Sequence, residues 1–323
     1  MFLPGRTVPA LTGILFAIIF TGISSLSCNT QISVVSQKDS ASQQLWYGWN
    51  HYQLKPEDTL ARLGYDIIVN TYKYFGPEGK VAPVTNGMNC QNCHIDGGIR
   101  PWGNNFGAVI ISYPRFSGRD GDTLSLTGRI NSCFERSLNG KAIDTNSYEM
   151  KAMIAYMRWL AGDVKKKPSG TGVMKLPYLD RAADTLKGKI VFDNNCERCH
   201  GKDGEGLPNG KGGFTYPPLW GDKSYNTGAG MYRLSLLAGF VKNNMPFDEA
   251  SYNHTVLTEE EAWDVAAYIN SKPRPLIKGK HDYPDISKKE VDAPFGPYSD
   301  TFSEKQHKYG PFKAIADAHS SLK

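Results

Sequence analysis

The sequence predicts a mainly α-helical fold, made of two tandem domains with the same plan and an extended C-terminal tail. Two observations support this prediction. The pattern Cys-x-x-Cys-His occurs twice in 323 residues, at 90–94 and at 196–200. Each copy lies between two stretches in which apolar residues recur at helical spacing. A chain of this length suits two domains of ordinary size, each able to bury an apolar core.

Each half of the chain contains one predicted helix before its motif and one after it. In the first half, apolar residues recur at helical spacing over 60–72, and a second helix is predicted over 148–160. In the second half, the predicted helices span 181–192 and 258–270. The last of these has three glutamates in its first turn, where the helix dipole favours negative charge. We therefore expect the same helical plan twice.

Changes in composition divide the chain into segments. Residues 163–177 carry turn-forming residues and interrupt the helical periodicity, so the boundary between the domains is expected there. After Pro273 the chain is polar and rich in proline, and the sequence indicates no function for it. The predicted segments are an export signal (1–28), a flexible polar tether (29–44), a first domain (45–164), a linker (165–177), a second domain (178–275) and the extended tail (276–323).

The first 28 residues resemble a bacterial export signal. Arg6 provides a weak positive charge, and the apolar stretch 11–23 is short for a lasting membrane span. The sequence before Cys28 resembles the acylation site of lipoproteins, although its leucine lies two residues before the cysteine and not three. We expect a periplasmic lipoprotein, anchored to the membrane through Cys28. A plain cleaved signal and an uncleaved anchor are the alternatives.

The two motifs have the spacing of attachment sites for c-type haem. Two thiols one helical turn apart can add to the two vinyl groups of one porphyrin, and the adjacent imidazole then reaches the iron. Zinc binding or a disulfide is the alternative, but two copies in an exported chain favour haem. We therefore predict class I cytochrome c-like domains with two covalently bound haem c groups. The predicted haem-binding residues are Cys90, Cys93, His94, Cys196, Cys199 and His200.

The distribution of charge argues against a nucleic-acid partner. The chain carries 37 basic and 32 acidic residues, and the basic residues form no long run. Nucleic-acid-binding domains concentrate their positive charge in a patch or stripe. A local positive pocket for a small anion remains compatible with this composition.

The residue opposite the histidine decides whether a haem relays electrons or supports chemistry. For the second haem we predict Met245, which lies 45 residues after His200 in a Met-Pro sequence typical of a loop. A thioether ligand raises the reduction potential of the iron. Met231 is the alternative ligand, and core packing is the alternative role of either methionine.

Cys133 is the candidate distal ligand of the first haem. It lies 39 residues after His94, whereas the methionines after His94 in this half fall on the predicted helix over 148–160 and suit core packing. Haem attachment and the lipoprotein signal account for the other five of the six cysteines, so Cys133 has no obvious partner. An inert buried thiol, a disulfide to Cys28 and an intermolecular bridge are the alternatives.

Positive residues surround Cys133 in the sequence. The segment 117–141 contains Arg119, Arg129 and Arg136, with few opposing acids. Positive neighbours stabilise a thiolate, which is both an iron ligand and a nucleophile. A charged hydrogen bond to a desolvated anion contributes about 1.5–3 kcal/mol, whereas an exposed pair contributes typically under about 1 kcal/mol. Two converging arginines would therefore dominate the binding of an anion. Solvated arginines, or arginines paired with haem propionates, are the alternative.

The segment 129–137, Arg-Ile-Asn-Ser-Cys-Phe-Glu-Arg-Ser, resembles the dihaem cytochrome c thiosulfate dehydrogenases, and so does the segment 113–119. The resemblance runs from about Trp46 to Pro273. Members of this family couple two thiosulfates into tetrathionate, and some run the reverse reaction. The tail and the predicted lipoprotein start lie outside the shared pattern.

The resemblance implies roles for individual residues. The family's active-site haem has a histidine and a cysteine as axial ligands, which correspond to His94 and Cys133. Its substrate-binding arginines correspond to Arg119 and Arg129, and its active-site serine corresponds to Ser137. The cysteine is expected to carry a sulfur adduct during the reaction.

The resemblance also implies that the second haem transfers electrons, with Met245 as its distal ligand. Some members carry a lysine immediately before this methionine, able to replace it on the iron. This chain has Asn244 there, so we expect no such ligand switch.

The expected function is therefore the oxidation of thiosulfate to tetrathionate, with electrons passing through the second haem to an external cytochrome or other carrier. A non-catalytic dihaem electron carrier is the first alternative. A dihaem peroxidase is the second, and it would need a histidine suited to peroxide, such as His51 or His254.

Overall fold

The computed structural model describes residues 54–277 and 282–321, and this part of the chain is mainly α-helical, as predicted. The α-helices are α1 (Thr59–Val69), α2 (Thr71–Phe75), α3 (Ile95–Gly98), α4 (Val109–Ser112), α5 (Leu126–Arg136), α6 (Tyr148–Ala161), α7 (Thr185–Asn195), α8 (Glu197–His200), α9 (Leu234–Asn244), α10 (Glu259–Ser271), α11 (Glu304–Tyr309) and α12 (Lys313–Ser321). Two short antiparallel hairpins pair β1 (Arg115–Ser117) with β2 (Asp122–Leu124), and β3 (Leu207–Pro208) with β4 (Phe214–Tyr216). Short 3-10 helices span Cys90–Asn92, Gly230–Tyr232 and Ile286–Lys288.

The predicted membrane attachment involves residues near the start of the sequence. Among the described helices, none is both long and apolar enough to cross a bilayer. The predicted export signal and tether lie outside the described residues.

The first and last helices of each half touch at a glycine. Helix α1 meets α6 at Gly64, where a β-carbon would lie 2.0 Å from the carbonyl oxygen of Ala152. Helix α7 meets α10 at Gly188, where a β-carbon would lie 1.9 Å from the carbonyl oxygen of Asp264. Glycine has no β-carbon, so it permits this close approach of two backbones. Both halves therefore use the same helix-packing arrangement.

Each half has its own apolar core beside its motif. In the first half, helices α1, α5 and α6 bury Ile67, Phe134 and Met153. In the second half, helices α7 and α10 bury Phe192 and Trp263. Full burial of one such side chain contributes about 1.5–3 kcal/mol, so these cores fix the helices that surround each motif.

The described part of the tail is folded against the second half. It contains α11 and α12, two short helices that the sequence did not predict, because neither is long enough to show a repeating apolar pattern. Phe312 and Ile315 are buried in the core of the second half. Apart from these helices and the 3-10 helix Ile286–Lys288, the described part of the tail is irregular.

Hydrogen bonds join the two halves, which belong to one compact unit. The Asn226 side chain donates to the carbonyl oxygen of Glu135 at 2.8 Å, and its backbone amide donates to the carbonyl oxygen of Arg136 at 3.1 Å. The Asn86 side chain donates to the carbonyl oxygen of Ser224 at 3.0 Å. The carboxyl end of α5 is therefore fixed by the second half of the chain.

Candidate active site

A cavity of about 280 Å³ in the first half brings the first motif together with Cys133. Cys90, Cys93 and His94 line this first haem cavity, and Cys133 reaches it from α5. Most of the remaining lining is apolar and includes Ile68, Phe106, Ile130, Met153 and Met157. The structure thus places Cys133 in the same cavity as the predicted haem-binding residues of this half.

Helix α5 presents three of the predicted site residues in one row. Arg129, Cys133 and Ser137 follow one another at intervals of four residues, which places them on one face that runs from the first turn of the helix to its carboxyl-terminal cap. All three line the first haem cavity. The helix begins at a serine cap, since the Ser125 hydroxyl accepts a hydrogen bond from the Gly128 amide at 3.1 Å.

His94 is oriented as an iron ligand. Its Nδ1 lies 2.6 Å from the carbonyl oxygen of Asn104. Because a carbonyl oxygen can only accept, the proton is on Nδ1, and Nε2 presents its lone pair. A second hydrogen bond of this kind is typical of histidines that bind metals. The ring also packs against Phe106, with centroids 4.5 Å apart.

The three thiols in the first haem cavity have different acidities. Burial raises the pKa of Cys90 to about 11 and the pKa of Cys93 to about 12. Burial also acts to raise the pKa of Cys133, but the Arg129 guanidinium and a hydrogen bond with His94 outweigh it and lower this pKa to about 7. Cys133 in turn raises the pKa of Arg129. The thiol predicted to do chemistry is the one that a cation holds towards the thiolate form.

A second cavity, of about 290 Å³, surrounds the second motif. It is lined by Cys196, Cys199 and His200, and by Met245, which directly follows α9. The Nδ1 of His200 donates to the carbonyl oxygen of Pro217 at 2.8 Å, so this histidine also presents Nε2. Burial lowers the pKa of His200, which favours the neutral form that binds iron.

The alternative methionine lies elsewhere. Met231 is in the 3-10 helix Gly230–Tyr232, packs in the core of the second half and is not among the residues that line the second haem cavity. The structure therefore favours Met245 as the distal ligand.

The residues of both cavities fit haem c. Each cavity combines two neighbouring thiols, one imidazole whose Nδ1 is bound to a backbone carbonyl oxygen and a largely apolar wall, which is the set that covalent haem attachment requires. The five described cysteines are all free thiols, and no group of three or more His, Cys, Asp or Glu in 54–277 and 282–321 could hold a metal ion directly. Neither a disulfide among the described cysteines nor a protein-ligated zinc site is therefore supported. The alternative partner Cys28 lies outside the described residues.

The two haem cavities share a wall. Gln91 and Asn92, which lie between the cysteines of the first motif, and Ile95, which follows it, all line the second haem cavity. The Asn244 side chain also donates to the carbonyl oxygen of Trp102 at 3.2 Å, beside the loop that orients His94. The first motif thus borders the second haem cavity.

A third cavity, of about 360 Å³ and strongly cationic, adjoins the first haem cavity. The two share Arg115, Arg129 and Ser137 in their walls. The predicted Arg119 also lines this cationic cavity. The other charged residues in its lining are Arg136, Arg233, Lys288, Asp120 and Glu290. The predicted substrate-binding residues are therefore brought together next to Cys133, in a space suited to small anions.

Two of the arginines are held by other groups. The Nη1 of Arg119 donates to the carbonyl oxygen of Gly228 at 2.7 Å, which fixes the guanidinium at the cavity wall. Arg136, which is 2% exposed, donates two hydrogen bonds to Asp282, and its Nε has no partner among the described residues. Arg136 is thus mainly neutralised by Asp282.

Some residues that line the cavities were not assigned a role from the sequence. Arg115 belongs to a segment that resembles the family and lines both the first haem cavity and the cationic cavity. Arg233 and Lys288 come from the second half and the tail, far from Cys133 in the sequence. Lys167, in the predicted linker, lines the first haem cavity. No periodicity or motif marks Lys167, Arg233 and Lys288, because long-range folding brings them to these cavities.

The peroxidase alternative gains no support from the described part of the chain. His254 is exposed and does not line any of the three cavities. His51 lies outside the described residues.

Comparisons with known proteins support the predicted domains and family. The family described as "SoxA/TsdA, cytochrome c domain" matches residues 80–165, and the family described as "Cytochrome c" matches residues 185–273. One match falls in each half, so the prediction of two tandem cytochrome c-like domains is confirmed. Haem c is therefore the cofactor that these domains bind.

Several relatives are thiosulfate dehydrogenases. One from Psychrobacter arcticus is 41% identical over 242 residues, which are 71% of this chain and 69% of that protein. One from Allochromatium vinosum is 40% identical over 201 residues, 60% of this chain and 73% of that protein. The solved structure of thiosulfate dehydrogenase (TsdBA) from Marichromatium purpuratum matches with a TM-score of 0.66 and 30% identity.

The match to TsdBA covers 80% of this chain but 55% of that chain, so this chain spans about half the length of that protein. The resemblance inferred from the segment 129–137 is confirmed by these relatives. The protein is therefore an oxidoreductase, and the chain belongs to the thiosulfate dehydrogenase family of c-type cytochromes.

Proposed function

We propose that the protein is a dihaem enzyme that joins two thiosulfate ions into tetrathionate and passes the electrons to an external carrier, with the reverse reaction open to the same site. The position of Cys133 carries this proposal. Its half-buried thiol lines the first haem cavity with His94 and Arg129, where that cavity adjoins the cationic cavity. An electron relay needs neither an acidified thiol nor a cluster of cations beside it.

The proposed cofactors are two haem c groups, with Cys133 and Met245 as distal ligands. The residues that would hold the haems are Cys90, Cys93 and His94 in the first half, and Cys196, Cys199 and His200 in the second. When bound, each haem accepts one electron at a time, so two haems match the two electrons released per tetrathionate.

Cys133 is the proposed covalent catalyst. A bond forms between its thiolate sulfur and the sulfane sulfur of the first thiosulfate, and the two electrons released in this oxidation go to the external carrier, which is the oxidant. The second thiosulfate then attacks the sulfane sulfur of the adduct. The bond to Cys133 breaks, tetrathionate departs and the thiolate is restored. The charges balance, because two dianions yield one dianion and two electrons.

Cationic residues oppose the repulsion between the two thiosulfate dianions. Arg129 lies beside Cys133, and Arg119 lines the adjoining cationic cavity. The Ser137 hydroxyl lies in the wall that the two cavities share and can donate to a sulfonate oxygen. One preorganised donor of this kind typically contributes about 10²–10³-fold in rate.

The test is to mix the oxidised holoprotein with thiosulfate and to follow haem reduction by absorbance while tetrathionate is quantified. We expect reduction of the haems together with tetrathionate formation. Cys133→Ala, with its haems attached, is expected to be reduced by a chemical reductant but not by thiosulfate. Thiosulfate-dependent reduction of this variant at the wild-type rate would leave only the electron carrier.

We also propose a periplasmic location with a lipid anchor on Cys28. The export-signal pattern supports this, since haem c is attached outside the cytoplasm in bacteria. Cells given a labelled fatty acid should incorporate the label into the wild-type protein. Cys28→Ser should remain unlabelled, and label in both proteins would contradict the assignment.

A further inference from the structure

The tail segment 282–292 lies at the cationic cavity. The backbone amide of Tyr283 donates to the carbonyl oxygen of Arg119 at 2.7 Å, and Arg119 Nε donates to the Tyr283 hydroxyl at 3.3 Å. Tyr283, Lys288 and Glu290 line the cavity beside Arg119. This segment therefore forms one wall of the cationic cavity. Arg129, which lies beside Cys133, lines the same cavity.

Carboxylates of the same segment pair with three arginines of the cavity. Asp282 accepts two hydrogen bonds from buried Arg136, at 2.6 and 2.7 Å, and its Oδ2 lies 3.8 Å from Arg119 Nε. Asp292 accepts from Arg233 at 2.7 and 2.9 Å, and Glu290 forms an ion pair with Arg233 at 2.9 Å. Because the close pairs already match the charge of Arg136 and Arg233, these two arginines are weaker candidates for binding another anion.

Lys288 has no such partner. Its side chain is exposed at the cavity, and its ammonium has no hydrogen bond or ion pair to any residue in 54–277 or 282–321. The lysine is packed against the turn between β1 and β2, since a β-carbon on Gly118 would lie 2.8 Å from the Lys288 Cβ. The exposed Asp285 carboxylate, which accepts hydrogen bonds from Ser287, attracts this ammonium without forming an ion pair, so the charge of Lys288 is only partly balanced.

We propose that Lys288 binds the sulfonate group of the second thiosulfate, so that segment 282–292 completes the substrate site. This inference rests on the proposed function. Arg129, next to Cys133, is placed for the first anion, whereas Lys288 and Arg119 lie in the part of the cavity that the tail encloses. Tetrathionate, which has a sulfonate at each end, would contact both positions.

The test compares Lys288→Gln with Lys288→Arg in the full-length holoprotein. Lys305→Gln is the matched control, because Lys305 is an exposed lysine of α11 that does not line the cavity, and its replacement changes the net charge equally. Steady-state thiosulfate oxidation is measured at several salt concentrations. Binding of tetrathionate to the oxidised protein is measured by isothermal titration calorimetry.

We expect Lys288→Gln to raise the KM for thiosulfate and the Kd for tetrathionate by roughly three- to fivefold, with kcat within about twofold of wild type. The salt dependence of kcat/KM should become weaker, because one cation fewer attracts the anion. For Lys288→Arg, the KM for thiosulfate, the Kd for tetrathionate and kcat should each remain within about twofold of wild type.

The inference is wrong if Lys288→Gln matches Lys305→Gln in KM, Kd and salt dependence. A wild-type protein without any thiosulfate turnover would contradict the proposed function instead. The calorimetric comparison would still decide whether Lys288 binds the anion.

Discussion

The two halves of the protein orient their haem-binding histidines in the same way and differ in what lies opposite. The Nδ1 of His94 and the Nδ1 of His200 each donate to a backbone carbonyl oxygen, at 2.6 and 2.8 Å. In the first half, Cys133 reaches the cavity from within helix α5. In the second half, Met245 reaches it from the segment after α9. A shared scaffold thus carries two different distal groups.

The surroundings of the two distal groups differ as much as the groups themselves. The first haem cavity includes Arg115, Arg129 and Lys167 in its lining and adjoins the cationic cavity. Among the described residues, no Arg, Lys, Asp or Glu lines the second haem cavity. The fold alone therefore does not assign the role of a domain; the distal side chain and the nearby charge do.

These differences have a common physical cause. A thiolate is anionic, so it requires cations close by, and the same cations can bind an anionic substrate. A thioether is neutral and needs no counter-charge, and it raises the potential of the iron that receives electrons. The first half is therefore suited to chemistry, and the second half to electron transfer.

The largest expected effect comes from giving the first half the distal side chain of the second. Cys133→Met should retain the haems but lose thiosulfate-dependent reduction by at least about 10³-fold, because a thioether cannot carry the sulfur adduct. Stopped-flow absorbance measures the rate, and the spectrum of the oxidised protein should lose its thiolate features. A variant that keeps wild-type turnover would show that the two distal groups are interchangeable.

The next effect tests the charge beside the distal group. Arg129→Gln should lower kcat/KM for thiosulfate by roughly 10- to 150-fold, since a hydrogen bond to a charged group contributes about 1.5–3 kcal/mol. Lys189→Gln is the matched control in the second half. Lys189 is exposed, pairs with Asp193 and lines none of the three cavities, so its loss should change kcat/KM by less than about twofold. Equal losses in both variants would indicate a general effect of net charge.

A smaller effect is expected on the reduction potential of the second haem alone. Met245→His should lower the reduction potential of the second haem by on the order of 0.1 V, because nitrogen replaces the thioether. The potential of the first haem should stay unchanged, and tetrathionate binding should be unaffected. A spectroscopic redox titration resolves the two haems. A shift confined to the first haem would mean that Met245 is not the ligand of the second.

Local sequence patterns predicted the four helices that flank the two motifs, but not α5 or α9. The helix predicted over 148–160 is α6 (Tyr148–Ala161), and the one predicted over 258–270 is α10 (Glu259–Ser271), with Thr258 as its cap. The helix predicted over 181–192 begins later, at Thr185, because the Asp184 carboxylate accepts hydrogen bonds from the amides of Leu186 and Lys187. Apolar periodicity locates a helix, whereas side-chain caps set its ends.

Only part of the candidate site could be predicted from the sequence. The motif residues and Cys133 lie within one domain, and their residue types and spacing indicate haem binding and thiol chemistry. The wall contributed by Asp282, Tyr283 and Lys288 depends on contacts with residues more than 100 positions away, such as the pair between Asp282 and Arg136. Such long-range pairs leave no local sequence pattern. The sequence therefore indicated no function for the tail.

The smallest expected effect concerns the cap of the helix that presents Cys133. The Ser125 hydroxyl caps α5 and the Ser147 hydroxyl caps α6, each by accepting a hydrogen bond from a backbone amide of the first turn. Ser125→Ala and Ser147→Ala should each lower the free energy of unfolding by about 1 kcal/mol in urea titrations. Only Ser125→Ala should also lower kcat/KM for thiosulfate, by about twofold, because fraying of α5 loosens Arg129 and Cys133 together. An equal loss of activity in both variants would show that the site senses overall stability, and not the position of α5.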